Sequence, residues 1–287
     1  MSNITSYFSH KILDFLLGRN AYTNIPTYYV GLSKTPMGVD GAGVTAPSGG
    51  GYARLAIPNN KTSFSVAASK VVNFIQEFRF PESTDTAAGE WGDISHFTIY
   101  DSLSGGNMLL FGALREPRHM ERLSTLVLKP NDNQLGLDVC GGSDYNMAIT
   151  TYAANLILNH LFGYSPTLTP PANYYLGVSL QPVSSEGTGI VEPSAANGYA
   201  RVQLPNNKTT FTTGNNKTIT LNSEFAFNPS TNPWGTVTHY FISDAASGGN
   251  IWWSGKLNLP RTVEISTILT VKPNSFTWQL ESCPLII

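Results

Sequence analysis

The chain repeats itself, and that limits its possible folds more than any other feature. Gly51-Tyr52-Ala53-Arg54 recurs as Gly198-Tyr199-Ala200-Arg201, and Pro58-Asn59-Asn60-Lys61-Thr62 recurs unchanged as Pro205-Asn206-Asn207-Lys208-Thr209. Both pairs lie at one offset, 147 positions (198 − 51). Glu77-Phe78 and Phe80 answer to Glu224-Phe225 and Phe227 at the same offset. A short contraction comes next, and Trp91-Gly92 answers to Trp234-Gly235 at 143 positions (234 − 91). From there the register holds through Ser104-Gly105-Gly106-Asn107 and Ser247-Gly248-Gly249-Asn250, Pro117-Arg118 and Pro260-Arg261, and Cys140 and Cys283. A period of this size is far above the roughly 20 to 50 residues of solenoids and propellers. Each copy is therefore expected to bury its own core, copy 1 over 1–143 and copy 2 over 144–287, with the boundary near Gly141-Gly142-Ser143.

Each copy opens on an amphipathic pattern. Tyr7, Phe8, Ile12, Phe15 and Leu16 have helical spacing, and Gly18 supplies the left-handed stop. The second copy repeats this from Tyr152 through Leu156, Ile157 and Leu161 to Gly163. Beyond each helix the chain takes on the period of strands. Phe74, Phe78 and Phe80 alternate with Asn73, Glu77 and Arg79, while Ile219, Leu221, Phe225 and Phe227 alternate with Thr220, Asn222 and Glu224. One face of each strand is expected to be buried and the other wet. Turn-forming Pro-Asn-Asn, Ser-Gly-Gly-Asn and Pro-Asn segments separate these runs. The expected architecture is mainly β: two tandem antiparallel β-sandwiches of jelly-roll type, each led by one α-helix.

Of the 287 residues 13% are charged and the net charge is −2, so no large field exists to collect nucleic acid or anionic lipid. No stretch approaches the roughly 18 apolar residues of a membrane span, and Met1-Ser2-Asn3-Ile4 lacks the basic start of an export signal. With two cysteines at equivalent ends of the copies, free thiols are expected, as in a reducing cytoplasm.

Catalytic candidates are sparse. His96 with Asp101, repeated as His239 with Asp244, offers an imidazole near a carboxylate. Along a strand, five residues place the two on opposite faces roughly 16 Å apart. Each Asp precedes a Ser/Gly turn and reads more simply as the residue that starts it. Gly49-Gly50-Gly51 resembles a phosphate cradle, but Tyr-Ala-Arg comes after it in place of a helix carrying Lys-Ser/Thr, so a turn at a strand entry is the better reading. No metal-ligand motif is present, Asn60, Asn207 and Asn216 stand in sequons of hairpin-tip composition, and neither enzyme activity nor a cofactor is expected.

Candidate interaction residues are Trp252, Trp253, Arg54 and Arg201. The two Arg are the only charges at otherwise apolar strand starts, and each is either an internal hydrogen-bond hub or a partner contact. Trp252 and Trp253 replace Leu109 and Leu110 of the first copy. Adjacent strand residues face opposite ways, so one Trp either forms a contact surface for protein or carbohydrate, or is covered by a helix or the neighbouring copy.

The succession Tyr28-Tyr29-Val30-Gly31-Leu32-Ser33, Gly50-Gly51-Tyr52-Ala53-Arg54, Trp91-Gly92, His96-Phe97, Tyr100-Asp101 and Gly105-Gly106-Asn107 resembles a family of small tailed-phage virion proteins labelled tail fibre or tail proteins. Tyr174-Tyr175-Leu176-Gly177-Val178-Ser179 through His239 and Gly255 carry the resemblance a second time, where family members resemble single domains. The resemblance implies a non-enzymatic virion structural protein of tail, collar or baseplate, assembled in the host cytoplasm. Its partners would be other virion proteins and copies of itself in a symmetric assembly, with no nucleic acid or membrane. The alternatives are a capsid decoration protein and a carbohydrate-binding module for host glycans.

Overall fold

The computed structural model describes residues 2–137, 147–165, 167–213 and 218–280. The expected boundary at Gly141-Gly142-Ser143, both cysteines and Asn216 lie outside the described residues.

The first half runs β1 (Ser2–Ile4), α1 (Ser6–Leu16), β2 (Thr27–Ser33), β3 (Leu55–Pro58), β4 (Val71–Asn73), β5 (Phe78–Arg79), β6 (Gly92–Tyr100), β7 (Met108–Met120), β8 (Val127–Leu128) and β9 (Gln134–Gly136). The second runs β10 (Ala148–Ile149), α2 (Thr151–Leu161), β11 (Asn173–Ser179), β12 (Val202–Pro205), β13 (Phe211–Thr213), β14 (Thr218–Leu221), β15 (Phe225–Ala226), β16 (Gly235–Ser243), β17 (Ile251–Val263), β18 (Thr270–Val271) and β19 (Thr277–Gln279). The main sheets share one order, β1-β7-β6-β2-β3 and β10-β17-β16-β11-β12, and every pairing in them is antiparallel. Smaller ladders complete each half: β4-β9 and β5-β8 in the first, β13-β14-β19 and β15-β18 in the second.

Both helices start at a threonine that works in two directions. Thr5 Oγ1 accepts from the Phe8 amide and donates to the Met108 carbonyl at 2.7 Å. Thr150 repeats the arrangement with Ala153 and the Ile251 carbonyl. The cap satisfies an orphan helix amide and also ties the helix to the long strand of its own half. The short strand before each helix carries no period of its own, and the sequence gives no sign of it.

Aromatic rings link the main sheet to the small ladders. Tyr28 on β2 meets Phe64 edge-on at 6.0 Å, Phe64 meets Phe74 at 5.5 Å, and Phe74 meets Phe78 at 5.5 Å. This row does not stay within one half. Phe162, just past α2, lies 4.9 Å from Phe64 and 5.5 Å from Tyr28. Helix α1 packs on β14 and β19 of the second half, and α2 packs on β4 of the first.

The expectation of two separately buried cores is therefore corrected: the buried apolar residues of both halves form one continuous cluster. Each helix is apolar on more than one side, so its second face is covered only by the other half. The wet face expected for β14 is also corrected. Thr218, Ile219, Thr220 and Leu221 are all buried, and Thr220 Oγ1 donates to Asn274 Oδ1 at 2.9 Å. Phe225, expected to match Phe78, is half-buried where Phe78 is buried.

Candidate functional site

The contact between halves is reciprocal. Tyr28 Oη donates to the Leu161 carbonyl at the end of α2 (2.7 Å), and Tyr174 Oη donates to the Leu16 carbonyl at the end of α1 (3.0 Å). Asn59 Nδ2 donates to the same Leu161 carbonyl and Asn206 Nδ2 to the same Leu16 carbonyl, at 2.7 and 2.9 Å. Helix-terminal carbonyls lack intrahelical partners, so each half caps the other's helix. Gly18 and Gly163 sit where this happens, at φ 61° and 64°, and a Cβ on either would run into the backbone of Asn206 or Asn59. Glycine is required there twice over, by conformation and by space.

Other cross-contacts differ between the copies. Arg19 holds Asp14 through Nε (2.8 Å) and reaches the Phe211 carbonyl and Thr213 Oγ1, both at 2.6 Å. From α2, Asn159 Oδ1 accepts from the Ala67 amide and Asn155 Oδ1 from the Lys70 amide, at 2.7 and 2.8 Å. The repeated Pro-Asn-Asn-Lys-Thr segment, read as a hairpin tip, supplies Asn59 and Asn206. Its identity in both copies exceeds what a turn demands, and that was the available signal.

Trp252 and Trp253 are 2% and 1% exposed, which corrects the expectation of a solvent-side contact surface at either. The reason is a register shift. Ile242 pairs with Trp253 and Ser243 with Ile251, leaving Trp252 as the extra residue of a bulge. A bulge breaks the alternation, so two neighbouring side chains can turn inward. Tyr174 meets both indoles, at 5.6 and 5.4 Å, Tyr152 of α2 meets Trp252 at 6.1 Å, and Trp252 Nε1 donates to Asp244. The first half has the same shift, with Leu109 and Leu110 both buried.

Arg54 and Arg201 act as internal bridges. Arg54 Nη1 donates to the Ser102 and Gly105 carbonyls at 2.8 and 2.7 Å, and Arg201 Nη1 to those of Ala245 and Gly248 at the same distances. Arg201 also grips Glu192 through Nε (2.9 Å) and Nη2 (2.7 Å). Burial pushes the Glu192 carboxyl up, but hydrogen bonds from Arg201 and Tyr199, with the guanidinium charge, outweigh it and hold the carboxyl below its ordinary value.

His96 and Asp101 are not brought together. His96 Nδ1 shares a hydrogen bond with Ser95 Oγ, whereas Asp101 accepts from the backbone and side chain of Asn107 and closes the turn. His239 with Thr238, and Asp244 with Asn250, repeat this. Burial pushes both imidazoles below their usual value, with Lys256 adding to the effect at His239. Gly50 lends its carbonyl to Trp91 Nε1, as Asn197 does to Trp234 Nε1, so the glycine run shapes a strand entry.

The copies also differ in character at an exposed rim. Leu259, Ile265 and Ile268 are 65, 60 and 53% exposed. At the 143-residue offset the first half has Glu116, Arg122 and Thr125. Beside Leu259 lies a groove of about 380 Å³ lined by Leu257, Leu269 and Phe276.

The family model described as Podophage GP4 fiber I protein gp80 matches residues 3–136 and again 148–279. The chain belongs to this phage fibre family. No curated protein matches it. The two matched stretches are the two halves described above, so the chain is a tandem duplication within a family of structural phage fibre proteins, which makes it a virion structural protein. Among the described residues no helix is long and apolar enough to cross a membrane.

Proposed function

We propose that the chain is a pre-joined pair of fibre domains that docks on a neighbouring virion protein through the rim of its second half. The carrying observation is the divergence at Leu259, Ile265 and Ile268. At these three positions the second half is apolar where the first is polar. Exposed apolar side chains beside a groove favour protein burial over solvent. The reciprocal helix capping supports the pairing, since it gives an internal contact of twofold character inside one chain.

Under this reading the partners are other virion proteins, in tail, collar or baseplate, together with copies of itself in a symmetric assembly formed in the host cytoplasm. Neither nucleic acid nor a membrane is needed. Host-glycan binding and capsid decoration are the rival roles, and burial of both Trp252 and Trp253 weakens the first by removing its stacking platform.

The test is Leu259→Glu with Ile265→Glu, substitutions at exposed positions that leave the core intact. Purified particles are expected to lack the protein, as read by mass spectrometry, while the isolated variant melts like the parent. Particles that carry normal amounts of the variant and fail to adsorb would establish host recognition in place of docking.

A further inference from the structure

The second half holds a pairing that the first half is shaped for and lacks. There, Glu192 seats its carboxylate against Arg201 Nε and Nη2 (2.9 and 2.7 Å) and Tyr199 Oη (2.7 Å). Tyr199 Oη in turn accepts from the Val178 amide at 3.1 Å, so its proton points to the carboxylate. The planar fork of an Arg with a phenol beside it is a complete carboxylate receptor.

The first half keeps the receptor without the carboxylate. Ser33 Oγ accepts from the Thr45 amide as Ser179 Oγ does from Val191, which sets Ala46 opposite Glu192. Tyr52 Oη accepts from the Leu32 amide at 2.9 Å, matching Tyr199, and its proton has no acceptor among the described residues. Arg54 uses Nη1 for the same two turn carbonyls as Arg201, while its Nε and Nη2 make no hydrogen bond among the described residues. The guanidinium carbon lies 3.3 Å from the Tyr100 ring centroid, a cation–π contact that holds the group in place.

A second difference opens the space. Phe241 lies over Gly177, where a Cβ would run into its ring, and its counterpart over Gly31 is Thr98. A Cβ on Gly31 would sit 2.7 Å from Thr98 Oγ1 and 3.3 Å from Tyr52 Oη, so these polar atoms converge on one place. Thr98 is 1% exposed and its Oγ1 has no hydrogen-bond partner among the described residues. A buried hydroxyl left unpaired is costly unless something satisfies it. A cavity of about 290 Å³ is bounded by Ala46, Tyr52, Arg54, Thr98, Tyr100 and Leu103.

The geometry points to a carboxylate-binding site in the first half, with Arg54 and Tyr52 as its donors and Glu192 of the second half as its built-in template. The carboxylate comes either as a free small molecule or on an acidic side chain of a neighbouring protein. The site is separate from the rim around Leu259.

Sodium acetate is the probe, titrated into the full chain against sodium chloride at matched ionic strength, with the Arg54 Nε–H resonance as readout. Wild type is expected to show a saturable shift that chloride does not produce. Ala46→Glu, at an exposed position, is expected to start near the saturated shift and not respond. Tyr52→Phe is expected to weaken acetate about tenfold. A linear response equal to that of chloride, or an unchanged response in Ala46→Glu, would overturn the site. Phage grown with Ala46→Glu then separates the sources: particles lacking the protein identify an acidic side chain of a virion partner, and particles carrying it in full identify a free ligand.

Discussion

Phe15 stacks on His160, its own counterpart in the repeat, with ring centroids 5.6 Å apart and planes at 22°. The helices are offset by 145 positions (150 − 5, from their capping threonines), and 15 maps onto 160 under that offset. A residue touches its own equivalent only at an axis of approximate twofold symmetry. The duplicated halves thus meet as two subunits of a dimer would. Hydrogen bonds close the contact from both sides, so the halves are expected to stay together without the covalent connection. A protease site inserted between 138 and 146 and cut in the folded protein is expected to leave both fragments in one size-exclusion peak at the intact elution volume; separate peaks would show that the connection carries the pairing.

The capping glycines make a sharper test of the same contact. Gly18→Ala and Gly163→Ala each force a Cβ against a carbonyl of the opposite half and strain a left-handed residue. Each is expected to lower stability by more than the roughly 1 kcal/mol of an exposed helix-end substitution, by similar amounts. Denaturant midpoints read this directly. A loss at one position only would mean that the two caps are not equivalent.

Trp253 is buried without reaching solvent, so its replacement is a packing change. Trp253→Ala is expected to cost about 3–5 kcal/mol in unfolding free energy. Leu110→Ala, at the matching place in the first half, is expected to cost about 2–5 kcal/mol. An unchanged melting curve for Trp253→Ala would contradict the buried placement.

Glu192 links stability to pH. Its carboxyl titrates lower in the folded protein than in the unfolded chain, so the unfolded state binds the proton more readily. The contribution is then complete above the unfolded value, near the ordinary carboxylate range, and is lost as pH falls through the folded one. Glu192→Gln is expected to flatten that part of the pH–stability curve. A curve unaffected by Glu192→Gln would show that the Arg201 pairing adds nothing to stability.

The chain order of amino acids was enough to determine the duplication, the leading helices, the strand alternation of Phe74, Phe78 and Phe80, and the turns at the Ser-Gly-Gly-Asn segments. These are set within a few residues of sequence, by spacing, by caps such as Thr5 and Thr150, and by residues that accept positive φ. Only the tertiary structure decided which faces are covered. Thr220 is buried where β14 pairs with β19 and its hydroxyl donates to Asn274 Oδ1, a partner far along the chain that no local pattern reveals. Trp252 points inward because a one-residue register shift, fixed by pairing with β16, overrides the alternation expected of its strand. The single core has the same origin: burial depends on what packs against a surface, and each helix packs both on the long strand of its own half and on strands of the other.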